Sequence, residues 1–161
     1  MRTDTRAPKL VGDFGEGLVT YALIRKGFEV ACVDHVGADL IAERAPHRLA
    51  VSVKTRKYKT GTGESRGTVI EDTHLKKLER FAQRFNLKPI FAHVVSIEDE
   101  RIIHLFMMQV DDIKKNLDHV KHGYRIRFSD KYLADTIALP FVDYSVWRDE
   151  LIGDKLFPHG K

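Results

Sequence analysis

The sequence predicts an α/β fold, one mixed β-sheet flanked by helices, read in the order α-β-β-β-α-β-β with a C-terminal extension. Two segments carry apolar residues at helical spacing, Phe14 to Lys26 and Asp72 to Phe85. Between and after them lie short apolar runs rich in Val, Ile and Phe, bounded by Gly, Pro and Asp. Strands alternating with helices in this way favour a sheet covered on its faces. With 161 residues, of which 43% are hydrophobic, the chain suits a single domain, 1–161, with its own core at about 9–110 and the extension at about 111–161.

The elements follow from local patterns. Phe14, Leu18, Tyr21 and Ala22 make a helical stripe, widened by Val19, Leu23 and Ile24, and Gly27 suits the stop. Phe28 to Asp34 reads as a strand. "ADLIAER" (Ala38 to Arg44) and "LAVSVKTR" (Leu49 to Arg56) read as two more, joined by a hairpin at "APHR" with Pro46 in the turn. In the second helix Leu75, Leu78, Ala82 and Phe85 form the stripe, while Lys76, Lys77, Glu79 and Arg80 face water.

Lys88 to Ile97 is apolar enough for a central strand, and Arg101 to Val110 is the next. "DDIKKNLD" suggests a short helix capped by Asp111 or Asp112. Tyr124 to Asp130 reads as an edge strand with Arg125 and Arg127 on one face. Past Leu139 the chain reads as strand, tail or dimer contact.

Composition narrows the function classes. A net charge of +4 and a pI near 9.2 permit a nucleic-acid partner without demanding one. The single cysteine, Cys32, excludes an intramolecular disulfide and a CxxC zinc site, and its apolar surroundings predict a core residue. The N-terminus has no apolar signal region, and no run approaches the roughly 20 apolar residues of a membrane span. A cytoplasmic protein without membrane contact is expected.

One constellation carries chemistry. Ser52 and Lys54 are two apart on a strand and share a face, leaving Val51 and Val53 for the other. If the "APHR" hairpin pairs the strands antiparallel, Asp39, at the start of one, comes near Lys54 at the end of the next. A carboxylate beside a lysine suits phosphodiester hydrolysis. Mg²⁺ polarises a phosphoryl oxygen and acidifies water. It takes one or two carboxylates plus waters, and a lysine can hold the water or the phosphate.

Glu16 has two readings. It lies in line with Val19 and Leu23, where a carboxylate wants a partner. Equally, Asp13 and Glu16 have capping-box spacing. After Lys54 come Arg56, Lys57, Lys59 and Arg66 in a loop, with Tyr58 interleaved, a pattern suited to a phosphate backbone. His74 opens the second helix. His119 and His122 have loose ligand spacing but lack a third ligand, and nothing suggests a catalytic triad.

"GDFGEGLVTYALIRKGFEV", "GADLIA", "VSVKTRK" and "HLKKLERFAQRFNLKPIFAHVV", in that order, resemble the PD-(D/E)xK nuclease superfamily. Within it the resemblance is nearest to archaeal Holliday-junction resolvases and restriction-endonuclease-like proteins, and covers roughly Val11 to Val95. It implies a restriction-endonuclease-like core and cleavage of DNA with Mg²⁺ or Mn²⁺. Glu16 and Asp39 then bind metal, Lys54 positions water, and the working unit is a homodimer.

Ser52 departs from the pattern, standing where the superfamily has its second acid. Three explanations compete. A migrated acid replaces it, with Glu71 preferred over Asp72 and Glu64 as a catalytic and metal-binding substitute. Alternatively Glu16 and Asp39 suffice. Or the fold no longer cuts and serves as a nucleic-acid-binding or assembly module.

Overall fold

The computed structural model describes residues 6–59 and 67–148, so Glu64 and Arg66 lie outside the described residues. Helix α1 spans Ala7–Arg25. It begins at Ala7 rather than Phe14 because Pro8 sits in the first turn, where its missing N–H has no helical partner to lose. Its buried face is Gly15, Val19, Ala22 and Leu23, while Phe14 and Tyr21 are exposed. The real stripe is thus rotated from the one the spacing predicts, because Gly15 presents backbone to the sheet.

Strands β1 (Glu29–His35), β2 (Ala38–Arg44) and β3 (His47–Tyr58) follow as an antiparallel set, with the expected hairpin at Ala45 and Pro46. A short strand β4 (Gly67–Glu71) then leads directly into helix α2 (Asp72–Phe85). Strands β5 (Lys88–Ile97) and β6 (Ile102–Gln109) come next, then helix α3 (Val110–Asn116). The chain continues through β7 (His119–Val120), β8 (Gly123–Arg127), α4 (Asp130–Ile137) and β9 (Asp143–Arg148).

Six strands form the main sheet in the order β1-β2-β3-β5-β6-β9, and three form a small sheet, β4-β8-β7. Only the β3–β5 pair of the main sheet is parallel, and its crossover carries β4 and α2. β5 lies inside the sheet, as its apolar run predicts, and is buried from Phe91 to Val95. Of the segment past Leu139, Asp143–Arg148 form β9, paired with β6, and residues 149–161 lie outside the described residues.

Each face of the main sheet has its own core. Leu40, Val51, Val94 and Leu105 pack under Val19, Ala22 and Leu23 of α1. Ala50, Phe91 and Phe106 pack under Leu75, Leu78 and Phe81 of α2, together with Ile70, Ile126 and Phe128 of the small-sheet side. Leu75 and Leu78 are fully buried, each worth about 1.5–3 kcal/mol over an exposed side chain.

Three expectations give way. The strand carrying Arg125 and Arg127 is central in the small sheet, flanked by β4 and β7. Phe85 is half-exposed, in ring contact with Phe81 and with His35 at the end of the outer strand β1. Cys32 is exposed, because β1 is the outer strand and lacks cover at that position. Among the described residues no helix is long and apolar enough to cross a membrane.

Candidate active site

The β2–β3 ladder pairs Leu40 with Val51. One step further along that register, Asp39 stands opposite Ser52. Asp39 Oδ2 accepts the Val53 N–H at 2.6 Å, which pins the carboxylate against β3. Two residues along β3 from Ser52 comes Lys54. A cavity of about 230 Å³ opens here, lined by Asp39, Ser52, Lys54, His74, Lys77 and Phe91 among others. The hairpin thus brings Asp39, Ser52 and Lys54 to one site. The Lys54 ammonium makes no ion pair among the described residues, Asp39 included.

Helix α1 delivers Glu16. Gly15 lies so close to β3 that a Cβ there would sit 1.8 Å from Thr55 Oγ1, so the helix backbone itself rests on the strand. Glu16 then lines a second cavity of about 600 Å³ with Val53, Lys54, Arg56 and Lys57, and the two cavities share Val53 and Lys54. The capping-box alternative falls, because a helix starting at Ala7 puts Asp13 and Glu16 well inside it. Burial pushes the Glu16 carboxyl above its ordinary range, and the charges of Asp39 and Asp13 push it the same way.

The oxygens of Asp39, Glu16 and Ser52 are of the donor type that a divalent cation takes, and the Asp39 charge reaches Glu16. Carboxylate and hydroxyl oxygens are hard donors, and Mg²⁺ keeps several waters when one or two carboxylates hold it. Among the described residues, no three His, Cys, Asp or Glu side chains gather closely enough for an all-protein cage.

Glu71 is placed differently. It ends β4, precedes the first turn of α2, and lies outside the lining of the Asp39 cavity. Its Oε2 stands 3.8 Å from Nδ1 of His74, and it is His74 that lines the cavity. Asp72 is taken by His119, whose Nε2 is 3.1 Å from Asp72 Oδ2. Arg56 and Lys57 are exposed at the end of β3, and Lys59 follows. Lys57 pairs with Glu98 at 2.6 Å and holds that carboxyl below its ordinary range.

Sequence reasoning missed His93. It lies beside Lys54 in the parallel β3–β5 register and is fully buried. Its Nδ1 lies 3.1 Å from the Lys54 carbonyl. A carbonyl only accepts, so Nδ1 carries the proton. Burial lowers the ring pKa to about 4; the Lys54 carbonyl bond opposes this, and the charges of Arg56 and Lys54 reinforce it. Nε2 is buried without a partner in the structure. The available signal was a lone histidine inside an apolar central strand, which on its own names no role.

No family model matches the sequence, and no curated protein matches it. Among solved structures, the Holliday junction resolvase Hjc of the archaeal hyperthermophile Archaeoglobus fulgidus is similar, with a TM-score of 0.52 and 17% identity over 72% of this chain and 83% of its own. A bacterial homing endonuclease matches with a TM-score of 0.45 and 17% identity, over 78% of this chain and 75% of its own. The resolvase likeness is one of fold. With the six-stranded mixed sheet between α1 and α2, it establishes that this chain has a restriction-endonuclease-like fold.

Proposed function

We propose that this protein is a DNA endonuclease of the PD-(D/E)xK type, dependent on Mg²⁺ or Mn²⁺. One observation carries the reading: Asp39 and Lys54 line one cavity at the junction of β2 and β3, and Glu16 comes near enough from α1 to feel the Asp39 charge. Asp39 and Glu16 hold the metal, which when bound polarises the phosphoryl oxygen and lowers the pKa of water. Lys54, with no competing ion pair among the described residues, orients the attacking water and steadies the phosphate. A bond forms from water oxygen to phosphorus, the bond to the leaving sugar oxygen breaks, and that oxygen takes up a proton.

Ser52 supplies a neutral hydroxyl where an acid is missing. Glu71 acts through His74, its carboxylate orienting an imidazole that lines the cavity. Arg56, Lys57, Lys59 and Arg66 grip the phosphate backbone. The expected working unit is a cytoplasmic homodimer, and β9, the outer strand of the main sheet among the described residues, offers one surface for pairing.

A second reading, a non-cutting DNA-binding module, is favoured by the lack of a three-ligand cluster among the described residues. Purified protein incubated with junction, flap and linear DNA in Mn²⁺ separates the two. The endonuclease reading expects cleavage that falls at least about a hundredfold in Asp39→Asn and Lys54→Ala. Variants that cut as fast as wild type refute it. Salt-sensitive binding without cleavage by the wild type assigns the module.

A further inference from the structure

We propose that the solvent face of the small sheet is a second phosphate-backbone contact, built on Arg125 and Arg127 of β8. It rests on the reading above that the protein binds nucleic acid, and adds a surface which that reading does not use. Arg125 and Arg127 are two apart on β8 and point to the same side, while Ile126 and Phe128 turn into the core. Their partners across the β4–β8 ladder are Val69 and Gly67. Gly67 puts no side chain opposite Arg127, so the face stays open as a groove of about 510 Å³ running to Ser129 and Tyr132.

The charge on this face is available for a ligand. Arg125 makes no ion pair among the described residues. Arg127 reaches one carboxylate, Asp118, at 3.9 Å, with an Asp118 side chain that is 75% exposed and therefore a weak competitor. The Tyr132 ring is flanked by Arg127 and by Lys131, each 5.1 Å from its centroid, which adds a third cation at the rim. Guanidinium forks favour phosphate oxygens, and an open groove suits a continuous backbone better than a compact anion.

Behind this face, on its core side, the Tyr58 ring packs 5.0 Å from the Phe128 ring, which ties the small sheet to the end of β3.

The test is the salt dependence of binding to a four-way junction and to a duplex, read by fluorescence anisotropy. Wild type is compared with Arg125→Ala/Arg127→Ala and with Arg56→Ala/Lys57→Ala. Loss of two phosphate contacts lowers the slope of log affinity against log salt by about 2 in the Arg125/Arg127 variant. Arg125→Lys/Arg127→Lys, which keeps both charges, retains most of the slope. Should the alanine pair fail to fold, Arg125→Gln/Arg127→Gln replaces it. A slope unchanged in the Arg125/Arg127 variant but reduced in the Arg56/Lys57 variant overturns this inference and leaves the DNA reading standing. A wild type that binds neither substrate overturns both. Displacement of DNA by poly-glutamate at matched charge points to an acidic protein partner and overturns the phosphate assignment.

Discussion

The backbone carbonyl of Lys54 accepts a hydrogen bond from Nδ1 of His93, 3.1 Å away across the parallel β3–β5 pair. The bond fixes a neutral ring behind the strand that carries the candidate lysine. In the unfolded chain this imidazole titrates near 6.5, and in the folded protein only near 4. Between those values the unfolded state binds a proton that the native state refuses. Stability is therefore intact above pH 6.5 and falls as pH drops toward 4, by about 3 kcal/mol across the window. Denaturant midpoints at pH 7, 5.5 and 4 should show this fall, and His93→Gln should flatten it. Glu98 loses its Lys57 pairing only near and below its ordinary value of 4.5, so it does not mimic the upper half of the window. An unchanged fall in His93→Gln would sink the assignment.

Gly15 and its neighbours on α1 offer an internal control. A Cβ at Gly15 would collide with Thr55 Oγ1, whereas at Gly12 and Gly17 it would meet nothing within 4 Å. Gly15→Ala should destabilise by about 1–3 kcal/mol, through overpacking that lifts the helix from β3. Gly12→Ala and Gly17→Ala should stabilise by about 0.5–1 kcal/mol, because both lie inside a helix. Thermal melts read all three. Equal effects at positions 15 and 17 would mean that α1 does not rest on Thr55. Because Gly15 precedes Glu16, its alanine variant should also lose cleavage more than the stability loss alone accounts for.

What was legible in the sequence depended on how strongly a local pattern constrains three-dimensional position. The bounds of β2, α2 and β5 could be read directly, since each has a clean period and a sharp boundary residue. The approach of Asp39 to Ser52 and Lys54 was also legible, because hairpin connection plus strand parity leaves few alternatives. β4 was not, since five residues opening on Gly67 show little alternation, and only pairing with β8 makes them a strand. That pairing decides where Glu71 sits. Its partner is Gly123, which holds Glu71 at the end of β4 and leaves His74, a turn later, to face the cavity. His93 was illegible for a related reason: its partner carbonyl is 39 positions away in the chain.

Glu16 carries the clearest electrostatic signature of the candidate site. Its folded pKa is raised, so the native state holds its proton more tightly than the unfolded chain does. Its favourable contribution is present at low pH and lost as pH rises through the folded pKa. Above that value, ionised Glu16 opposes Asp39 and Asp13. In metal-free buffer at pH 7.5, Glu16→Gln should raise the melting temperature by about 1–2 °C. Mg²⁺ or Mn²⁺ should then reverse the order, stabilising wild type by about 1.4 kcal/mol at a concentration ten times the dissociation constant and the variant by less. A variant that gains as much from metal as wild type does removes Glu16 from the metal site.

Ser52 is the position where adding a charge tests the site instead of removing one. It stands opposite Asp39 when the β2–β3 register is continued, so Ser52→Asp places a second carboxylate beside Asp39 in the cavity that Lys54 lines. Without metal, the like charges on adjacent strands should lower the melting temperature by about 2–4 °C, equivalent to about 1 kcal/mol. With a divalent ion the added ligand should tighten binding by about tenfold, since affinity for hard cations follows the count of charged oxygen donors. Ser52→Ala, which adds no charge, should leave metal affinity within about twofold. The readout is the metal concentration that gives half the maximal thermal shift, measured for Mg²⁺ and Mn²⁺ in the three proteins. If Ser52→Asp melts lower and stays there at saturating metal, the cavity is no cation site, and the non-cutting module becomes the better account of Asp39, Glu16 and Lys54.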